Sequence, residues 1–266
     1  MKKLENKVVW ITGASSGIGE ALAYLLAAKN NRLIISSRRE EELIRVRNKC
    51  PKEAQDRILI LPLDLSESAS FPTLVQQVMN WSSRLDILIN NGGISQRGLA
   101  KDTILEVDRR LMEVNYFGTI GLTKAVLPIM LEQRSGHIAV NTSLTGKFAT
   151  PLRSTYAATK HALHGFFDAL RAELYESNIK VTLLAPGFIK TDITYNALKG
   201  DGSVFNKMGE AQASGMDVTK CANKMIRAIE REKEEVYIGG KEVYAVYLKR
   251  FLPRIFSRMV RKTKVT

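Results

Sequence analysis

The stretch "TGASSGIGEAL", residues 12–22, follows the apolar run "KVVWIT" at 7–12 and places glycines at 13, 17 and 19 where a helix should begin. Glycines there permit a tight turn and let a pyrophosphate approach the backbone amides of a helix N-terminus, whose dipole favours anions. Taken alone, the segment also fits a strand-to-helix turn that binds nothing. Its place after the first strand of an alternating pattern favours the phosphate-binding reading.

Outward from this turn, near-continuous apolar runs recur at 7–12, 32–37, 57–63, 85–90, 136–143, 180–186 and 235–239. They are rich in Val, Ile and Leu, as strands covered on both faces are. Helical stretches fall between them at 17–29, 40–49, 68–80, 101–133, 154–177 and 219–232. Such alternation predicts an α/β chain: a single-domain Rossmann fold, a doubly wound seven-stranded parallel sheet with helices on both faces. We assign 1–245 to this domain and 246–266 to a basic amphipathic tail. In such sheets ligands bind beyond the carboxyl ends of the strands.

The composition, 45% hydrophobic and 25% charged, supplies a buried core and argues against disorder. Cys50 and Cys221 form no CxxC pair, and His137, His161 and His164 have no acidic or cysteine cluster beside them, so neither a disulfide framework nor a metal site is expected. The short apolar run at the start reads as a strand rather than a signal peptide. The two isolated cysteines fit a reducing cytosol, and with no uninterrupted apolar stretch near the ~20 residues of a membrane span no transmembrane segment is expected. Of the net charge of +13, seven basic residues and no acidic one lie between 248 and 266.

The spacing of Thr12, Gly13, Gly17 and Gly19 is T-G-x-x-x-G-x-G, and here the chain resembles the short-chain dehydrogenase/reductase family. The resemblance implies a nicotinamide-dependent oxidoreductase whose cofactor lies on Gly13, Ser15, Ser16, Gly17, Ile18 and Gly19. It extends to Asp64 and Leu65 after the third strand, and to "NNGG" at 90–93, where Asn91, Gly92 and Gly93 stand and Gly92 replaces the family's alanine. Charge favours NADP over NAD: "SSRR" at 36–39 ends the second strand without the carboxylate that would accept hydrogen bonds from a ribose 2′-hydroxyl. Arg38 is assigned to the 2′-phosphate, supported by Ser37, Arg39 and Ser15. Cations are unfavourable at a helix start unless an anion is bound there.

"STYAATK" at 154–160 puts Tyr156 and Lys160 on one helical face. Reducing a carbonyl requires a proton donor beside the hydride source. Lowering a phenol from its usual value near 10 by ~3 units requires roughly 4 kcal/mol of phenolate stabilisation, which the Lys160 ammonium and the oxidised cofactor can supply. An isolated Y-x-x-x-K fits a surface helix equally well. The resemblance adds Ser143, thirteen residues before Tyr156, to polarise the carbonyl, and Asn115 in "EVNYFG" to carry a proton relay to Lys160. It gives Lys160 the nicotinamide ribose, and it places Pro186, Gly187, Ile189 and Thr191 of "PGFIKT" along the nicotinamide.

The resemblance implies substrate contacts from 144–153 and 192–215, and the glycines, serines and scattered apolar residues of the second predict a mobile lid over an apolar pocket. "NNGGISQRGLAKDT" and "EVNYFGTIGLTKAVLP" resemble the membrane-associated branch that includes dehydrogenase/reductase member seven and, more distantly, the hydroxysteroid dehydrogenases, though no N-terminal anchor is read here. That branch implies a hydrophobic, lipid-like or xenobiotic carbonyl. A β-ketoacyl-carrier-protein reductase and a non-catalytic NADP-binding sensor or scaffold stay open. The family implies a homodimer or homotetramer built on helices 101–133 and 154–177. For the tail, apolar residues from Val246 to Val260 recur at helical spacing opposite arginines and lysines. They predict one amphipathic helix docking on the inner face of an anionic membrane, or packing on the protein's own core or a second subunit. Nucleic-acid binding is not expected.

Overall fold

The computed structural model describes residues 3–207 and 209–262. In chain order the elements are β1 Val8–Thr12, α1 Gly17–Ala27, β2 Arg32–Ser36, α2 Glu40–Lys49, α3 Lys52–Gln55, β3 Ile58–Ile60, α4 Phe71–Ser82, β4 Ile87–Asn90, α5 Leu105–Met112, α6 Gly118–Glu132, β5 Gly136–Asn141, α7 Ser154–Glu173, β6 Ile179–Pro186, α8 Glu210–Ala213, α9 Val218–Glu230, β7 Glu235–Ile238, α10 Tyr244–Phe251 and α11 Pro253–Val260. The seven strands form one sheet in the order β3-β2-β1-β4-β5-β6-β7, and every pairing is parallel. This is the doubly wound architecture expected.

Burial along β1 shows why the strands read as continuous apolar runs. Val9 and Ile11 pack with Leu22, Leu26 and Met225 on one face, whereas Val8 and Trp10 pack with Leu122, Val126 and Phe167 on the other. Because alternate side chains enter opposite helical layers, neither face has a polar alternation to show. The strand order reverses at β1 and β4, which places the cleft beyond their carboxyl ends.

Several boundaries move for local reasons. β3 is only three residues long, and Pro62, which has no amide to donate, follows it closely. The helix expected at 68–80 opens as a 3-10 turn and becomes α4 at Phe71 with Pro72 in its first turn. The long helix expected over 101–133 is α5, a π-type bulge at Glu113–Phe117 that carries Asn115, and α6. This run, Leu105–Glu132, is long and apolar enough to cross a membrane by length and composition. Here, Val107, Leu111, Leu122, Val126 and Met130 are buried within the fold.

The tail differs from the single amphipathic helix expected. It is not one helix but α10 and α11, broken at Leu252, where Pro253 has no amide to continue the ladder and Leu252 leaves the helical region at φ −132° and ψ 59°. Its apolar residues therefore do not share one side. Phe256 is buried in a cluster with Leu144 and Phe148, while Phe251 and Leu252 are exposed. Residues 263–266 lie outside the described residues.

Candidate active site

The glycine turn is shaped by close backbone approach. A Cβ on Gly13 would come within 2.7 Å of Gly92 Cα, and one on Gly19 within 2.1 Å of the Gly13 carbonyl oxygen. Gly13 and Gly17 also have positive φ, which side chains resist. Thr12 fixes the facing loop: its Oγ1 accepts from the Asn91 and Gly92 amides at 3.0 and 2.9 Å. Asn91 Nδ2 donates to the carbonyl oxygens of Thr12 and Gly13, both at 3.1 Å. Ser16 caps α1 without a side-chain bond, so the first amides of that helix have no intrahelical or capping partner and remain for an anion.

A cleft of about 670 Å³ runs over this turn, lined by Gly13, Ser15, Ser16, Gly17, Ile18, Ser37, Arg38, Arg39, Asp64, Leu65, Asn91, Gly92, Gly93 and Thr191. It fits a dinucleotide, because a Cβ at Gly92 or Gly93 would fill the cradle against Leu65 or Asn115. Arg38 and Arg39 are exposed at its edge, and Arg39 Nη2 lies 3.5 Å from Ser15 Oγ. Burial works against ionisation of Asp64, but the Ser66 amide and hydroxyl donate to it and Arg38 and Arg110 lie near. Together they hold its carboxyl below the usual range.

Tyr156 and Lys160 lie at the start of α7, both buried. The Gln96 side chain sets that start: its Oε1 accepts from the Thr155 and Tyr156 amides at 3.0 and 3.2 Å, serving as a cap from another segment. Ser143 at the end of β5 is held by the Thr145 amide, which donates to its Oγ at 3.1 Å, and it lines the same cavity as the Tyr156 phenol. Lys160 Nζ donates to the Asn141 carbonyl oxygen at 2.9 Å. Asn115 accepts from the Ile94 amide at 2.8 Å and donates to the Ile94 oxygen at 2.9 Å, so it is fixed beside Gly93 on the approach to Lys160. Of the loop after β6, Pro186 O accepts from Ser143 Oγ at 3.3 Å, and Thr191 stands over Gly17. Gly187 is pinned by Glu242, whose Oε1 accepts from the Phe188 amide at 3.2 Å.

The electrostatics bring two arginines beside the expected lysine. Burial pushes the Tyr156 phenol up, and what opposes it in this ligand-free chain is first Arg153, then Ser143, then Arg97. Lys160 Nζ lies 5.8 Å from the ring centroid in a cation–π contact, and burial lowers its own pKa to about 8. Arg97, Gln96, Arg153 and Glu242 were not singled out in the sequence. The signals available were Arg153 three residues before Tyr156 on α7 and the pair "QR" after the NNGG segment.

A second cavity, of about 730 Å³, opens in front of Ser143 and Tyr156 and meets the first at Ile18, Asn91, Gly93, Asn141 and Thr191. Phe148 from the 144–153 loop, Ile193 from the 192–215 segment and Tyr247, Phe251 and Phe256 from the tail line it. The 192–215 segment is tied down: Leu198 exchanges backbone bonds with Ser95 and Arg97 at 2.9 and 2.8 Å, and Arg97 Nη2 donates to Thr194 Oγ1 at 2.9 Å. No group of three or more His, Cys, Asp or Glu gathers among the described residues.

Known proteins share both sequence and fold. The family model described as short chain dehydrogenase matches residues 7–201. A Dehydrogenase/reductase SDR family protein 7-like of Anopheles gambiae is 43% identical over 98% of this chain and 84% of its own. Among solved structures, a short-chain dehydrogenase from Streptomyces avermitilis superposes with TM-score 0.81 at 28% identity, covering 97% of this chain and 96% of its own. A short chain dehydrogenase/reductase from Burkholderia phymatum in complex with NAD does so with TM-score 0.83 at 22% identity, covering 100% and 98%. On the family match and this near full-length identity, the chain belongs to the short-chain dehydrogenase family of oxidoreductases.

Proposed function

We propose that the chain is an NADP(H)-dependent carbonyl reductase, or alcohol dehydrogenase in reverse, for a hydrophobic carbonyl compound. One observation carries this reading: Ser143, Tyr156 and Lys160 line the largely apolar cavity together, and Lys160 is bonded to Asn141, which lines both this cavity and the dinucleotide-sized cleft. A pure binder has no use for a buried phenol, hydroxyl and ammonium in that cavity. The preference for NADP rests on Arg38 and Arg39 at the cleft edge, with no carboxylate ending β2.

The bound cofactor supplies the hydride. Ser143 orients the carbonyl oxygen and Tyr156 delivers the proton to it, which takes that oxygen to the alcohol. Arg153 and Arg97 lower the cost of the resulting phenolate. Lys160, held by Asn141, keeps positive charge behind the ring and passes the phenolate a proton taken from water on the side where Asn115 stands. Oxidation of NADPH at 340 nm with a panel of aliphatic and aromatic ketones and aldehydes tests this. Saturable oxidation with the apolar members supports it, and no oxidation with any carbonyl sinks it.

A further inference from the structure

The cavity in front of Tyr156 contains two guanidinium groups that no carboxylate balances. Arg97 and Arg153 are 5% and 7% exposed and both line the cavity. Neither forms an ion pair among the described residues. Arg97 donates only to neutral oxygens, those of Ser95 at 3.4 Å, Gln96 at 2.8 Å and Thr194 at 2.9 Å. The Arg153 guanidinium lies 5.6 Å from the Phe188 ring centroid. The Nε of each is buried without a hydrogen-bond partner.

Two like charges placed together out of water are costly unless a counter-charge arrives. Burial brings Arg97 down to about 9, and the neighbouring Arg153 charge adds to this. The cofactor phosphates are not the missing anion, because the glycine turn that would hold them lines the other cleft, where neither arginine appears. The one carboxylate on the cavity wall among the described residues, Glu242, accepts from the Phe188 amide and pairs with neither arginine, and most of the remaining wall is apolar and aromatic, with Phe148, Phe188, Leu248 and Phe251.

We propose that the substrate is an amphipathic carbonyl compound carrying an anionic oxygen group, carboxylate or phosphate, which Arg97 and Arg153 receive while its hydrocarbon lies against α10 and α11. The guanidinium fork suits two oxygens of such a group. Arg153 stands three residues before Tyr156, and Arg97 follows Gln96, whose Oε1 accepts from the Tyr156 amide, so a group held by the two arginines lies close to the reacting carbonyl. This inference rests on the carbonyl-reductase reading above and deepens it.

The test compares 4-oxodecanoate, its methyl ester and 2-oxodecyl phosphate as substrates of the wild type and of Arg153→Gln and Arg97→Gln. We expect kcat/KM for at least one anion to exceed that for the ester by about tenfold or more, and the better anion identifies the source of the oxygens. In the variants this preference collapses, mainly through KM. An ester as good as both anions overturns the inference while leaving the reductase reading intact. So does an equal loss on all three compounds, since the arginines would then act on Tyr156 alone. A second measurement needs neither variant nor turnover: thermal shifts of the wild type with decanoate, decyl phosphate and 1-decanol. A rise with an anion but not with the alcohol supports the site, and equal shifts overturn it even if no carbonyl is reduced.

Discussion

The rings of Phe148 and Phe256 meet edge to face with centroids 5.5 Å apart, which fastens α11 to the loop that lines the substrate cavity. Phe256→Ala removes a buried aromatic and should cost about 3 kcal/mol, visible in the denaturant midpoint. It should also raise KM more for long-chain ketones than for short ones. A variant as stable as the wild type, with unchanged chain-length preference, would separate the tail from the pocket.

Arg38 lines the dinucleotide cleft at the end of β2. Replacing it with Ala should weaken NADPH about tenfold or more and leave NADH nearly unaffected, as read by fluorescence titration. An equal effect on both cofactors would remove the basis for naming NADP.

Lys160 illustrates a conflict between stability and function. Burial lowers its pKa from 10.5 to about 8. Between those values the unfolded chain binds the extra proton, so the lysine's cost is full below about pH 8 and shrinks as pH rises. Lys160→Met in the ligand-free protein should therefore be more stable at pH 7, by about 2 kcal/mol, and inactive. The advantage should close between pH 8 and 10.5. Calorimetry across that range checks it, and a difference that does not move with pH would contradict the assignment.

Outside the cavity, the tail surface presents Ile255 beside the exposed Arg250, Arg254 and Arg258, next to Phe251 and Leu252 at the cavity rim. We propose that this face meets an anionic membrane, with each cation contributing about 1 kcal/mol. Arg250→Glu, Arg254→Glu and Arg258→Glu together should abolish co-sedimentation with phosphatidylserine vesicles while turnover in solution persists. Unchanged sedimentation, or none by the wild type, refutes the contact.

The fold was legible because glycines 13, 17 and 19 and seven apolar runs report backbone geometry and burial that are local in sequence. What escaped depends on contacts between distant segments. Arg97 and Arg153 become neighbours only because Gly98 pairs with Arg153 across a bridge and donates to Leu152 O at 3.1 Å. Glu242 reaches Gly187 only once β6 and β7 are paired. The break in the tail was written in Pro253, but apolar periodicity masked it, since α11 taken alone keeps a helical period.

The central claim is that Tyr156 gives the proton during NADPH-dependent carbonyl reduction, and Tyr156→Phe tests it most directly. The variant retains the ring that fills the buried site and loses only the hydroxyl. Single-turnover reduction of a ketone by enzyme-bound NADPH should fall about 1,000-fold or more, while the NADPH dissociation constant stays within about threefold. Turnover within tenfold of the wild type, with NADPH still bound, would contradict it.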